Sequence, residues 1–134
     1  MIYVVGSINL DYVARLKALP KPGETMLGSE LDKTPGGKGA TQALAARRAG
    51  VQVALIACIG RDEDGRAATR LLAREGVGLS GVTDSDQPSG VAMIQIDEAG
   101  ENAIGVLPGA NAHLSVEAVR TGLAGLTPQD LVVL

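Results

Sequence analysis

The sequence predicts an α/β fold built on parallel strands. Two continuous apolar runs, residues 2–5 and 53–59, each stop at a glycine, as strands buried on both faces of a parallel sheet do. Residues 38–49 between them are rich in alanine and end before Gly50, a pattern typical of a helix with a left-handed C-terminal cap. Together these three elements predict a βαβ unit.

The βαβ unit carries an insertion between its first strand and its helix. Residues 7–35 contain "INLDYVARL" and "TMLGSEL", two strand-like stretches separated by the turn "PKPGE". Because this segment is too long for a plain loop, we predict two strands that lie outside the main sheet.

A second helix and a hairpin follow the second buried strand. Asp62 or Asp64 can cap a helix that runs to about Glu75 and ends at Gly76. Residues 89–96 and 102–107 flank the turn-rich "DEAGE" and predict a hairpin, whose alternating residues suit a sheet with two unlike faces.

The last part of the chain predicts one more helix and one more strand. Ser115 can cap a helix through about residue 124, and "DLVVL" begins another buried strand. A sequence that stops inside an apolar strand is unusual for a complete domain, because it leaves a sheet edge unprotected.

Composition argues against several classes of function. The 15 acidic and 12 basic residues give a net charge of -3, which provides no field to attract nucleic acid or an anionic membrane. No apolar run approaches a membrane span, and the first residues lack the basic character of a signal peptide. We therefore expect a cytoplasmic protein, whose single cysteine, Cys58, is a buried thiol.

The stretch "TPGGKGATQA", residues 34–43, places three glycines and a lysine at the start of the first helix. Glycine-rich turns at helix N-termini often bind phosphate. Here Lys38 is followed by Gly39 and no glycine lies five residues before Gly37, so the spacing of a Walker loop is absent, as is that of a dinucleotide fingerprint. The motif indicates a ligand other than a nucleotide phosphate.

Motifs along the whole chain resemble the N-terminal half of the ribokinases, in the PfkB sugar-kinase family. They are "VVGSINLDYVARL", "PGET", "PGGKGATQALAARRAG", "LIACIGRDEDG", "SGVAMIQID" and "GENAIGVLPGANAHLS", in the family's order. The resemblance implies a ribokinase-like doubly wound α/β sheet, truncated after its N-terminal half. Segments of about 7–35 and 89–107 would form a small β lid inserted in this single domain.

The resemblance also implies a sugar site. Asn9 and Asp11 match sugar ligands of the family, since an amide donates and accepts and a carboxylate can accept from two hydroxyls. Bare main chain at Gly36 and Gly37 would lie against the sugar, and Lys38 would add donors and charge. Each residue also has an alternative role without a ligand. Asn9 and Asp11 could form a turn, Gly36 and Gly37 could simply start the helix, and Lys38 could be a solvated surface charge.

Three further positions complete the implied site. Ala92 and Val106 would give apolar contact to the sugar ring, or simply pack within the lid. Thr41 stands where the family motif has asparagine. A threonine hydroxyl has fewer hydrogen-bonding groups than an asparagine amide and reaches less far. A hydrogen bond to the sugar would therefore be lost or mediated by water, at a cost on the order of 1 kcal/mol. This departure bears on which sugar fits.

By resemblance, the activity is ATP-dependent phosphorylation of the primary hydroxyl of ribose or a similar sugar. Mg²⁺, K⁺ and a homodimer formed through the β lid are implied with it. The Gly-Ala-Gly-Asp motif and the ATP and cation sites are expected outside these 134 residues, which alone would be inactive. The alternatives are a non-catalytic sugar-binding or self-assembling half-domain, or part of a fructokinase, ketogluconate kinase or nucleoside kinase.

Overall fold

A computed structural model describes all 134 residues, which form two four-stranded sheets and three α-helices. No helix is both long enough and apolar enough to cross a membrane. In chain order the elements are β1 (Ile2–Val5), β2 (Asn9–Leu16), β3 (Gly28–Gly36), α1 (Lys38–Arg48), β4 (Val53–Gly60), α2 (Glu63–Arg74), β5 (Gly78–Ser85), β6 (Gly90–Ile96), β7 (Asn102–Leu107), a 3₁₀ helix (Gly109–His113), α3 (Val116–Gly122) and β8 (Leu131–Val133).

The first sheet has the order β5-β4-β1-β8, and all its strand pairs are parallel. Val4 and Leu55 belong to the main core with residues of α1 and α2, such as Leu72. On the opposite face α3 lies so close that a methyl group on Gly122 would touch Ile56. Helices on both faces confirm the predicted doubly wound fold, whose strand order changes direction between β1 and β8.

The second sheet has the order β3-β2-β6-β7, with β2 and β6 parallel and the two outer pairs antiparallel. Its strands come from the two segments, about 7–35 and 89–107, that the resemblance assigns to a β lid. One face packs on α2, where the Tyr12 hydroxyl donates to the Asp64 carboxylate at 2.8 Å. Asn9 and Asp11 lie on the other face, because side chains alternate along a strand.

Asp62 joins the two sheets at the start of α2. Its carboxylate accepts from the Gly65 N–H at 2.8 Å, as a helix cap, and from the N–H and hydroxyl of Ser89 at 2.8 and 2.7 Å. The Ser89 hydroxyl in turn accepts from the Gly60 N–H at 2.9 Å. Burial alone would raise the pKa of Asp62, but these hydrogen bonds outweigh it and lower the pKa. The charged carboxylate therefore holds the start of β6 against the end of β4.

Two strands differ from the sequence prediction. The second strand of the insertion is predicted at "TMLGSEL", whereas β3 starts at Gly28 and continues to Gly36 opposite Asn9. Pairing with β2 extends it through residues of low strand propensity. The edge strand β5 is not predicted at all, because its glycines and polar side chains give no apolar run.

Candidate functional site

A cavity of about 830 Å³ lies between the start of α1 and the second sheet. It borders the segment that leaves the carboxyl end of β1, next to the point where the strand order changes direction, which is where doubly wound sheets bind ligands. Seven of the eight site residues predicted from the sequence line it: Asn9, Asp11, Gly37, Lys38, Thr41, Ala92 and Val106.

The start of α1 is in direct main-chain contact with the segment after β1. Gly37 has a φ of 91°, and a Cβ there would lie 2.6 Å from the Ser7 carbonyl oxygen and 2.9 Å from the Asn9 nitrogen. A Cβ on Gly39 would lie 2.7 Å from the carbonyl carbon of Gly6. The glycines of the motif are therefore required for this close approach.

Ser7 accepts hydrogen bonds from N–H groups at the start of α1. Its hydroxyl accepts from the Lys38 N–H at 3.2 Å, and its carbonyl oxygen accepts from the Ala40 N–H at 3.0 Å. These bonds leave less of the helix N-terminus available to an anion. The exposed Lys38 side chain makes no salt bridge, so its ammonium is the free positive charge at the cavity.

Asp11 presents an unsatisfied carboxylate in the cavity. Its Oδ1 is buried and has no hydrogen-bond partner in the protein, and burial raises the pKa of this carboxyl above its ordinary value. Gly36 lies beside it, and a Cβ on Gly36 would overlap the Asp11 carboxylate. Gly36 is the one predicted site residue that does not line the cavity; it makes room for Asp11.

Asn9 is buried, with 8% of its surface exposed, and its side chain is held by a residue that sequence reasoning missed. The Asn9 Oδ1 accepts from the Asn111 Nδ2 at 2.9 Å. In the sequence Asn111 belongs to the turn "PGAN", which gives no sign of a contact with residue 9. Only the folded chain brings the two together.

The opposite wall of the cavity is apolar. In the register of β6 and β7, Ala92 pairs with Val106 and Ile94 with Ile104, and all four line the cavity. Ala92 is buried, whereas Val106 is 59% exposed. The cavity thus sets hydrogen-bonding groups on β2 and α1 beside an aliphatic wall, an arrangement suited to a small molecule with both hydroxyl groups and C–H faces.

Other residues lining the cavity were not predicted. Ile94 and Ile104 could have been found from the period of two that places them on the same face as Ala92 and Val106. Gln42 follows Thr41 on α1, and both line the cavity without any hydrogen bond from their side chains. The remaining two are Ser7 and Ala45.

Comparison with known proteins gives a consistent picture over the whole chain. The family model described as pfkB family carbohydrate kinase matches residues 1–134. A ribokinase of Haemophilus influenzae is 41% identical over 132 residues, which are 98% of this chain and 43% of that protein. The chain therefore spans less than half the length of this curated relative.

Two solved structures share the fold. The crystal structure of a ribokinase from Thermotoga maritima superposes with a TM-score of 0.81 at 37% identity, covering 87% of this chain and 39% of that one. The structure of an Arabidopsis thaliana ribokinase complexed with ribose and ATP gives a TM-score of 0.73 at 32% identity, covering 82% of this chain and 36% of that one.

The contact at Gly37 predicts an unequal effect of two matched substitutions. Gly37 and Gly50 share a φ of 91°, but nothing lies within 4 Å of a Cβ on Gly50. Gly50→Ala should lower the free energy of unfolding by about 1 kcal/mol through backbone strain alone. Gly37→Ala adds a clash with main chain and should cost about 3 kcal/mol or more. Denaturant titration of both variants checks this, and equal losses would contradict the close approach.

The unsatisfied carboxylate of Asp11 predicts a gain in stability when its charge is removed. Asp11→Asn should raise the melting temperature of the ligand-free protein at neutral pH by about 2–5 °C. Asp32→Asn is the matched control, because Asp32 is an exposed carboxylate on the adjacent strand β3. Its ion pair with Arg15, at 3.9 Å, is open to solvent, so the substitution should change little.

The pH dependence of this gain follows from the raised pKa of Asp11. The folded state binds the proton more tightly than the unfolded state, so the destabilisation disappears as the pH falls through the raised pKa. The advantage of Asp11→Asn over the wild type should therefore shrink in acid. A lower melting temperature for Asp11→Asn, or a difference independent of pH, would refute this account of Asp11.

Proposed function

Because this chain belongs to the pfkB family of carbohydrate kinases, we propose that it is the sugar-binding part of an ATP-dependent kinase. The whole protein transfers the γ-phosphoryl group of ATP to the primary hydroxyl of ribose or a similar sugar. The curated relatives named ribokinase and the ribokinase structure that holds ribose and ATP support this choice of substrates.

The observation that carries the proposal is the Asp11 carboxylate, buried at one oxygen and without a partner in the protein. A partly buried carboxylate without a partner costs free energy, and a ligand that donates hydrogen bonds to it can recover that cost. Sugar hydroxyls donate such bonds, and a carboxylate can accept from two neighbouring hydroxyls at once. The exposed Lys38 ammonium at the same cavity gives further donors.

The other residues of the cavity complete the proposed sugar site. Asn9 contributes its amide, and Gly37 brings the main chain of α1 within reach of the sugar. Ala92 and Val106 cover an apolar face of the ring. Thr41 contributes a hydroxyl where the family motif has an amide, so we propose that it adjusts which sugar binds.

The groups that carry out phosphoryl transfer are proposed to lie outside these residues. No Gly-Ala-Gly-Asp motif occurs in the sequence, and no cluster of three or more histidine, cysteine or acidic side chains is placed to hold a metal ion. We therefore propose that Mg²⁺, K⁺ and the ATP site lie in the part of the protein that matches the remainder of the relatives. The 134 residues alone are then inactive as a kinase.

The second sheet serves in this proposal as a lid inserted in one domain through segments 7–35 and 89–107. It covers the cavity from the side opposite α1. Ile104, Val106 and Leu107 on its edge strand β7 are each more than half exposed. Because an exposed apolar edge favours association, we propose that two lids pair in a homodimer. We also propose that the protein acts in the cytoplasm.

A kinase assay tests the proposal. The whole protein, purified and supplied with ATP and Mg²⁺, should release ADP in the presence of ribose, and faster than with fructose, ketogluconate or a nucleoside. Asp11→Ala should lower kcat/KM by about tenfold to a hundredfold, the cost of a hydrogen bond to a charged group, while Asp32→Ala should change it less than about twofold.

Several outcomes would overturn this proposal. ADP release that no sugar stimulates would remove the carbohydrate substrate, and full activity of Asp11→Ala would remove the sugar site. Ribose-dependent ADP production by the 134-residue chain, free of contaminating kinase, would show that the phosphoryl-transfer groups are not elsewhere.

A further inference from the structure

Asn111, on the 3₁₀ helix after β7, forms hydrogen bonds with both the N–H and the carbonyl oxygen of Ile8. The Asn111 Oδ1 accepts from the Ile8 N–H at 2.9 Å, and the Asn111 Nδ2 donates to the Ile8 carbonyl oxygen at 3.0 Å. The same nitrogen donates to the Asn9 Oδ1 at 2.9 Å. Both polar atoms of the Asn111 side chain are thus committed to residues 8 and 9.

These bonds fix the orientation of two amides in succession. A main-chain N–H only donates and a carbonyl oxygen only accepts, so Ile8 permits one orientation of the Asn111 amide. In that orientation the Asn111 Nδ2 points at Asn9. The Asn9 side chain must therefore accept this hydrogen bond through its Oδ1. The Asn9 Nδ2, which donates to no group of the protein, is left for the cavity that Asn9 lines.

The space for this contact depends on Gly90. Gly90 pairs with Asn9 in the register of β2 and β6, and a Cβ on Gly90 would overlap both the Asn111 Nδ2 and the Asn9 Oδ1. It would also lie 3.0 Å from the Pro108 carbonyl oxygen. Three segments distant in sequence therefore meet at one point where a side chain on residue 90 is not tolerated.

We propose that Asn111 is a positioning residue for the sugar, because it makes Asn9 a hydrogen-bond donor toward the sugar hydroxyls. This inference rests on the proposed sugar site. Asn9 then offers a donor and Asp11 an acceptor, two residues apart on the same face of β2. Sugar hydroxyls, each able to donate and accept, complement this pair.

A double-mutant cycle on the whole protein tests the coupling, with ribose dissociation constants measured by calorimetry. Asn111→Asp removes the donor to Asn9, so Asn9 turns its Nδ2 toward the new carboxylate and its oxygen toward the cavity. It also removes the bond to the Ile8 carbonyl oxygen, but that loss is the same with and without Asn9 and cancels in the cycle. Ribose binding should weaken at least about tenfold. In an Asn9→Ala background the same substitution should weaken binding at least about threefold less than in the wild type, because the part of the effect that acts through Asn9 is absent.

The matched control is Asn102→Asp, the same chemical change at an exposed position of β7 that does not line the cavity. It should leave the dissociation constant within about twofold of the wild type. Equal weakening by Asn111→Asp with and without Asn9 would show a general structural role and overturn the proposal.

A measurement on the unmodified protein without sugar decides the orientation independently. The side-chain NH₂ protons of Asn111 should exchange slowly with solvent, since both are donated, whereas those of Asn9 should exchange rapidly. Protected Asn9 protons with unprotected Asn111 protons would refute the assignment. If the wild type binds no pentose, the proposed function fails, and this exchange result still decides the orientation of the two amides.

Discussion

The closeness of two main-chain segments, the exit of β1 and the entry of α1, is the constraint on which the rest of the site depends. Gly6, Gly37 and Gly39 bring these segments together at distances that exclude any side chain. Because Ser7 also takes the Lys38 and Ala40 N–H groups, the two segments behave as one unit. Asn9 and Asp11 on β2 are thereby held across a small gap from the first turn of α1.

Around this unit, hydrogen bonds hold the second sheet in place, while the Asp11 carboxylate in the cavity has no hydrogen-bond partner. Asp62 is fully hydrogen-bonded, and its bonds to Ser89 fix the start of β6. Tyr12 and Asp64 fasten the opposite face of β2 to α2. Against this background the Oδ1 of Asp11 stands out, since it is the only buried side-chain nitrogen or oxygen atom without a hydrogen-bond partner. Well-bonded supports around one unsatisfied group are what a preorganised binding site requires.

The sequence predicted the features that depend on neighbouring residues and missed those that depend on contacts between distant residues. The apolar runs of β1 and β4 and the capped α2 were predictable because each depends on residues within a few positions. β5 was not, because its strand state comes from pairing with β4 rather than from its own residues. The motif resemblance identified seven of the twelve residues that line the cavity. Gly36 does not line it, and its contact with the Asp11 carboxylate could not be predicted from the sequence. Asn111 was missed because 102 residues separate it from Asn9.

The crystal structure of the whole protein with ribose tests the central claim most directly. We expect the pentose in the cavity between α1 and β2, with a hydroxyl of the sugar within about 3 Å of the Asp11 carboxylate, the ordinary length of such a hydrogen bond. Ribose bound at another place on the protein, or bound in this cavity without a hydrogen bond to the Asp11 carboxylate, would contradict the account.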